Sequence, residues 1–191
     1  AKEAALVAFR HAAKLDPDNP KITEAIVQNL LEREKFDEAL EALELFLLRN
    51  QGSQEMRLAA ARVAGAADRP ADAARHCRIL LDARPADRVL APALIRLYFL
   101  SGQNDLALSL MREQHARFQD DESALLPAQW AVHFSRDDER RDTALACIET
   151  ASDFSVDPKL RSAFDRLAAE CWLNLGQTNK AMSCLLEAYR G

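Results

Sequence analysis

An alanine that recurs at a nearly constant interval constrains the fold of this chain more than any other feature of its sequence. The series consists of Ala5, Ala39, Ala73, Ala107, Ala144 and Ala181, with one constant interval up to Ala107 and a slightly longer one in the two steps after it. A period of about 34 residues in a chain rich in alanine and leucine is typical of stacked helix-turn-helix units, because one pair of helices cannot bury its apolar face without a neighbour. The spacing therefore predicts a helical repeat architecture.

The residues that follow each recurring alanine extend the pattern. Four positions later stands a larger apolar residue: Phe9, Leu43, Cys77, Met111, Ile148 and Leu185. Seven positions later stand Ala12, Phe46, Leu80, Gln114, Ala151 and Ala188. Positions i, i+4 and i+7 lie on one face of an α-helix, so this face is predicted to be buried, with Gln114 as its one polar member.

The whole chain is predicted to be helical, with eleven helices and no strands. Prolines support the boundaries, since Pro17 and Pro85 each follow a recurring alanine by twelve residues and cannot continue a helix. The predicted spans are 2–15, 20–33, 36–49, 54–66, 70–83, 88–101, 104–117, 122–135, 140–152, 159–175 and 178–190.

Two segments resemble the tetratricopeptide repeat family, LDPDNP at 15–20 and KFDEALEALELFL at 35–47. Gly102 and Gly176 agree with this resemblance, because each precedes a recurring alanine by five residues, in the tight turn inside a repeat. The resemblance covers essentially the whole chain and implies an all-α, right-handed superhelical solenoid of helix-turn-helix repeats. It divides the chain into a half repeat and five repeats of one solenoid: 1–19, 20–53, 54–87, 88–121, 122–158 and 159–191.

The two ends of the series lead to an expectation about the parent protein. The sequence begins without methionine, and its last helix would leave Met182, Leu185 and Leu186 uncovered. Helical arrays normally carry polar capping helices for solubility. We therefore expect a segment of a longer protein, or alternatively a homo-oligomer that packs through an uncapped repeat end.

The resemblance also implies where a partner binds. Helical solenoids use their concave face, which the first helix of each repeat lines. The predicted partner-binding residues on this face are Gln28, Leu58, Arg62, Arg96, Phe99, Trp130 and His133. Two arginines beside aromatic side chains suit a peptide or helix that carries carboxylates and apolar anchors. A non-enzymatic protein-interaction scaffold is therefore the predicted function.

Trp130 has a second interpretation, as a core residue that fills the space around Pro127. The choice depends on the register of its repeat, which is three residues longer than the preceding ones. If the extra residues precede the first helix of that repeat, Trp130 turns away from the concave face. If they follow it, Trp130 lies on that face.

No catalytic, metal or cofactor site is predicted. The four histidines, His11, His76, His115 and His133, are scattered, and we expect each at the surface or in the groove. No CxxC, HxxxH or HExxH spacing occurs. The four cysteines are expected to be unpaired, which favours a reducing compartment and a cytoplasmic location, with the periplasm as the alternative. The apolar stretches are too short for membrane insertion.

Two other functional classes compete with the peptide-binding scaffold. A spacer or docking arm of a larger bacterial assembly is the nearest, for example part of a polysaccharide export protein or a repeat region attached to a glycosyltransferase. The excess of arginine over lysine favours a bacterial source. An RNA-binding helical repeat is disfavoured, because phosphate binding needs a basic track and the net charge is −5.

Overall fold

The computed structural model describes residues 2–154 and 158–190, and every regular element in these ranges is a helix. The α-helices in chain order are α1 (Lys2–Leu15), α2 (Pro20–Leu31), α3 (Phe36–Arg49), α4 (Gln54–Ala66), α5 (Pro70–Ala83), α6 (Leu90–Leu100), α7 (Asn104–Phe118), α8 (Asp121–Ser135), α9 (Arg141–Ser152), α10 (Pro158–Asn174) and α11 (Thr178–Arg190). A single 3-10 turn, Asp138–Arg140, precedes α9. The prediction of an all-α chain with eleven α-helices is confirmed over the residues described.

The helices belong to two compact units. The N-terminal unit, Ala1–Gly102, contains α1 to α6, and the C-terminal unit, Gln103–Gly191, contains α7 to α11. In the N-terminal unit each helix packs against the next one along the chain. In the C-terminal unit α8 packs against α7, α9 and α10, and α10 packs against α11. The division of the chain into five and a half repeats of one solenoid stays a prediction.

The recurring alanines are mostly buried between helices. Five of the six are buried: Ala39, Ala73, Ala107, Ala144 and Ala181. A methyl side chain lets the axes of two helices approach to roughly 8–10 Å. The larger residues four positions later are buried as well in α3, α5, α7 and α9, whereas Leu185 in α11 remains 43% exposed. The predicted buried face is thus correct for the internal repeats.

The turns that precede α3, α5, α7 and α11 share one backbone conformation, whereas the turn before α9 contains the 3-10 turn instead. In these four turns the residue five positions before the recurring alanine has a positive φ, which is 72° at Gly102 and 75° at Gly176. The same position in two earlier turns is not glycine, yet φ is 57° at Glu34 and 56° at Asp68. A residue with a side chain is strained in this left-handed region, so the turn geometry is retained at an energetic cost.

The first helices of successive repeats, α2, α4 and α6, each begin close to a polar residue that caps them. These capping residues recur at the interval of the repeat. Asn19, Ser53 and Asp87 each accept a hydrogen bond from a backbone N–H in the first turn of α2, α4 and α6 respectively. Such caps satisfy N–H groups that have no partner within the helix. Asp120 repeats the arrangement at α8, where it accepts from the Ser123 N–H at 3.0 Å.

The extra residues of the predicted repeat 122–158 follow its first helix. Helix α8 begins at Asp121, within one residue of the predicted start, and the 3-10 turn Asp138–Arg140 occupies the space before α9. The interval between recurring alanines is also longer from Ala144 to Ala181. Helix α10 lies in this interval and has 17 residues, whereas α4 has 13. Of the two registers left open by the sequence, the structure therefore has the one in which Trp130 keeps its repeat position.

The expectation for His76 is wrong. This histidine is only 1% exposed, on the face of α5 that packs against its neighbours. Its Nε2 lies 3.7 Å from Oε1 of Glu44, and neither ring nitrogen has a hydrogen-bond partner in the described structure. Burial lowers the pKa of His76 below its usual value of 6.5, and the neighbouring Arg75 lowers it further.

Candidate functional site

Three residues of the predicted partner-binding set lie at one repeat position in the N-terminal unit. Gln28 is on α2, Arg62 is on α4 and Arg96 is on α6, separated by the same interval as the recurring alanines of this unit. All three side chains are exposed. Leu58 precedes Arg62 by one helical turn on α4 and is half-buried, so it presents part of an apolar surface beside the arginine.

Arg62 and Arg96 differ from most arginines of this unit in having no counter-ion. Arg69, for example, contacts both Asp37 and Asp72, and Arg75 contacts Glu44. Across residues 2–154 and 158–190, no carboxylate lies within ion-pairing distance of Arg62 or Arg96. An exposed guanidinium keeps all five N–H donors available and matches a carboxylate in a two-point contact.

Phe99 does not belong to this exposed surface. It is 2% exposed and is among the largest fully buried side chains. The reason lies in the width of the inner face of α6, on which consecutive pairs are buried in successive turns: Leu90 and Ala91, Leu94 and Ile95, and Tyr98 and Phe99. The prediction of Phe99 as an accessible apolar anchor is therefore contradicted by its position on this face.

Trp130 and His133 lie together on α8 in the C-terminal unit. Their ring centroids are 5.5 Å apart in an edge-to-face arrangement. Trp130 also stacks on Phe134, with centroids 5.3 Å apart, and Phe134 is buried. His133 is exposed whereas Trp130 is half-buried. The indole is thus held by the core on one side and reaches the surface on the other, so both interpretations of Trp130 apply to part of its ring.

Helix α10 borders this aromatic pair, because α8 and α10 pack against each other. Arg136 contacts Glu170 at 2.7 Å, and Nδ2 of Asn174 donates to Oγ of Ser135 at 3.0 Å. Leu173 on the same helix is exposed. Near Trp130 and His133, the first helices of the C-terminal unit therefore present aromatic, apolar and paired charged groups.

Burial raises the pKa of each of the four cysteine thiols. All four are unpaired, and Cys147 and Cys171 are completely buried. Burial raises the pKa of Cys147 to about 12 and that of Cys171 to about 11. Both thiols are thus protonated at neutral pH and are weak nucleophiles.

Neither metal binding nor membrane insertion finds support in the described parts of the chain. Within residues 2–154 and 158–190, His, Cys, Asp and Glu side chains form no group of three or more with the geometry of a metal site. None of the helices described combines the length and apolar character that crossing a bilayer requires.

Comparison with known proteins finds similarity in solved structures alone. No family model and no curated protein matches this chain. A crystal structure of MamA has 13% sequence identity and a TM-score of 0.49, over 86% of this chain and 93% of that one. A tetratricopeptide repeat protein from Parabacteroides merdae has 16% identity and a TM-score of 0.46, over 99% and 72%. BtubC from P. vanneervenii has 16% identity and a TM-score of 0.42, over 99% and 87%.

This chain has a tetratricopeptide-like repeat fold. Its helices recur at the interval of the buried alanines, and the turns before α3, α5, α7 and α11 share one backbone conformation. The polar caps of the first helices were not among the features used to predict the fold. Their sequence signal was nevertheless present, as Asn19, Ser53 and Asp87 recur at this same interval, immediately before predicted helices or close to their starts.

Proposed function

We propose that this chain is a non-enzymatic protein-interaction scaffold, which binds an acidic peptide or helix of a partner protein on its first helices. The observation that carries the proposal is the pair of exposed arginines, Arg62 and Arg96, at the same position of successive first helices and without a counter-ion. Unpaired guanidinium groups form strong, charge-assisted hydrogen bonds with carboxylates. Two of them at one repeat position favour a ligand with at least two acidic side chains.

Further residues of the predicted surface contribute in different ways. Gln28 supplies donors and an acceptor at the corresponding position of α2, and Leu58 supplies apolar contact beside Arg62. In the C-terminal unit, Trp130 and His133 form a separate contact region, since an aromatic ring that is partly held by the core is a rigid anchor for an apolar side chain. Phe99 has no part in the proposed contact, because it is buried.

The proposal is tested with peptides selected from a random display library on the purified chain. We expect the selected sequences to be rich in Asp and Glu with one or two large apolar residues. Their affinity is then measured for the double variant Arg62→Glu and Arg96→Glu. Because hydrogen bonds to charged groups contribute roughly 1.5–3 kcal/mol each, the double variant should bind at least about tenfold more weakly.

A matched control reverses two exposed cations of the C-terminal unit, Arg117→Glu and Arg141→Glu, on the second helices α7 and α9. It changes the net charge by the same amount and should leave the affinity within about twofold, since distant exposed charges are screened at physiological salt. Equal losses of affinity in both double variants would show that only the overall charge matters, and would contradict the proposal. An unchanged affinity in the Arg62→Glu, Arg96→Glu variant would also contradict it.

A docking arm within a larger assembly is a second candidate function, and the apolar surface of α11 favours it. Met182, Leu185 and Leu186 are exposed on this helix, and exposed apolar groups that cluster mark contact sites more often than single ones do. Light scattering of the chain and of a Leu185→Glu, Leu186→Glu variant tests self-association through this surface. We expect the unmodified chain to form a dimer as its concentration rises and the variant to remain a monomer. If both proteins have the same mass at all concentrations, self-association through this surface is excluded.

A further inference from the structure

A groove of about 560 Å³ lies on a different surface of the N-terminal unit, where it is lined by α1, α2 and α3. Its apolar lining includes Ala13, Ile26, Leu30, Ala42, Leu45 and Phe46. Ile26, Leu30 and Phe46 belong to the buried core, whereas Leu45 is 56% exposed. The groove is thus a hydrophobic surface that is open to solvent.

Two residues that line the groove are smaller than the residues at the same positions of the next repeat. Thr23 and Ala42 both line it, and the residues at the same positions of the next repeat are Arg57 and His76. Arg57 and His76 are both buried, and Nη2 of Arg57 donates to the carbonyl oxygen of Gln51 at 2.7 Å. The next repeat therefore fills the corresponding position with its own side chains, whereas the first repeat leaves the space open.

The charges around the groove leave two cations free. Lys14 and Arg49 both line it, in the last turns of α1 and α3, and neither has an ion-pair partner among the residues described. The carboxylate of Glu38 is occupied, since Arg10 donates to it at 2.8 Å and Lys35 also contacts it. These two contacts lower the pKa of Glu38. Glu41 is the remaining carboxylate of the lining, so the unpaired charge is positive overall.

We propose that this groove docks an amphipathic helix of a partner protein, with the apolar face of that helix over Ala13, Ala42 and Leu45 and an acidic side chain at Lys14 and Arg49. An apolar groove between helices accepts a further helix by packing of side-chain ridges, and charge at its edge selects the sequence. This surface is formed by α1, α2 and α3, and neither Arg62 nor Arg96 is among the residues that line it. The inference therefore does not depend on the function proposed above.

Two synthetic helices of about 18 residues, long enough to form helix in solution, provide the probe. Both carry leucine at positions i, i+3, i+4 and i+7, and their polar positions are glutamate in one and lysine in the other. Fluorescence polarisation should show that the acidic helix binds the chain at least about tenfold more tightly than the basic one. The double variant Lys14→Glu and Arg49→Glu should reverse this preference.

Substitution of Ala42 by tryptophan tests the apolar part of the site, because the larger side chain fills the groove. We expect it to abolish binding of the acidic helix while circular dichroism remains unchanged. The charge reversals at Lys14 and Arg49 are on exposed positions and keep the proposal falsifiable if Ala42→Trp does not fold. The variant Arg62→Glu and Arg96→Glu should bind the acidic helix as the unmodified chain does.

A photoreactive residue locates the bound helix. Placed at Leu45, which lines the groove, it should cross-link to the acidic helix, whereas at Leu48, which is exposed on α3 and does not line the groove, it should not. Cross-linking from position 48 alone, loss of binding in Arg62→Glu and Arg96→Glu, or failure of both helices to bind would each overturn the proposal. A cross-link from position 45 to a second copy of the chain would also overturn it, because the occupant would then be the protein itself.

Discussion

Helices α3 and α5 are the second helices of consecutive repeats, and they differ in one instructive way. Each carries a buried alanine, Ala39 or Ala73, at the same crossing position. Three residues further along, α3 has the half-buried Ala42 and α5 has the buried His76. The repeat thus fixes the backbone and the crossing of the helices. Side chains at two repeat positions, of which this is one, then differ in whether they fill the space beside the crossing or leave it open.

Substitutions in the buried core positions of α3 and α5 should give the largest difference in stability between the two helices. Leu43 on α3 is 1% exposed and corresponds to Cys77 on α5. Leu43→Ala should lower the free energy of unfolding by about 2–5 kcal/mol, because it leaves a cavity in the core. Cys77→Ala removes a smaller group and should cost about 1 kcal/mol. Urea denaturation of the two variants measures the difference, and equal losses would contradict the assignment of Leu43 to the main core.

His76 distinguishes the filled position by its dependence on pH. Because burial lowers the pKa of His76 in the folded state, the unfolded chain binds the proton more readily. This contribution to stability is therefore fully present above pH 6.5 and is lost as the pH falls through the lower, folded-state pKa. The charged groups that affect the pKa are Arg75, Glu44, Arg57 and Asp72.

The variant His76→Leu checks the sign of this effect. At pH 7.5 it should be as stable as the unmodified chain or more stable by up to about 1 kcal/mol, since it removes two ring nitrogens without hydrogen bonds. At pH 5.5 the advantage should be larger. Denaturation curves at both pH values provide the measurement. A constant difference between the two proteins would show that His76 does not titrate differently in the folded and unfolded states.

The caps of the first helices are features that both repeats share, so they should respond alike. Ser53→Ala removes the hydroxyl that accepts from the Met56 N–H and should cost about 1 kcal/mol. Asn19→Ala should cost a similar amount at α2. Gln54→Ala, at the adjacent exposed position, serves as the control and should stay within about 0.5 kcal/mol of the unmodified chain. A loss at Gln54 as large as that at Ser53 would argue against a capping role.

The turns inside the repeats should give the smallest effect. Glycine in place of Glu34 or Asp68 relieves the strain of a positive φ and should stabilise the fold by about 0.5–1 kcal/mol. Gly102→Ala should destabilise it by a similar amount. A Cβ at Gly102 meets no atom within 4 Å, so this variant reports on backbone conformation alone. Stabilisation by all three substitutions would contradict the account of the turns.

Local sequence signals predicted most of the helical structure, because proline, caps and apolar periodicity act within one or two helical turns. The predicted start of α4 at 54 and of α11 at 178 coincide with the structure. The ends of α2 and α6 were predicted too late, since α2 ends at Leu31 and α6 at Leu100. At both places the chain enters a turn in which a residue has a positive φ, a conformation that helical periodicity alone does not reveal.

The candidate sites were less predictable, because burial depends on neighbours that are distant in the sequence. Arg62 and Arg96 were placed by the repeat position and are exposed. Phe99 is only three residues beyond Arg96, yet Phe99 is buried on the inner face of α6 whereas Arg96 is exposed on the outer face. The groove needed side chains from three helices to be placed in space. The sequence did contain one signal for the groove, because the small Ala42 occupies the same repeat position as the large His76.

The central functional claim is that Arg62 and Arg96 bind carboxylates of a partner, and exchange of charge between the two sides tests it most directly. An acidic peptide selected on the unmodified chain is resynthesised with lysine at its glutamates and aspartates, and both peptides are titrated against the chain and its Arg62→Glu, Arg96→Glu variant. Each protein is expected to bind the peptide of opposite charge, so that the lysine peptide restores binding to the variant. A variant that binds neither peptide while it remains folded, or one that still prefers the acidic peptide, would contradict it.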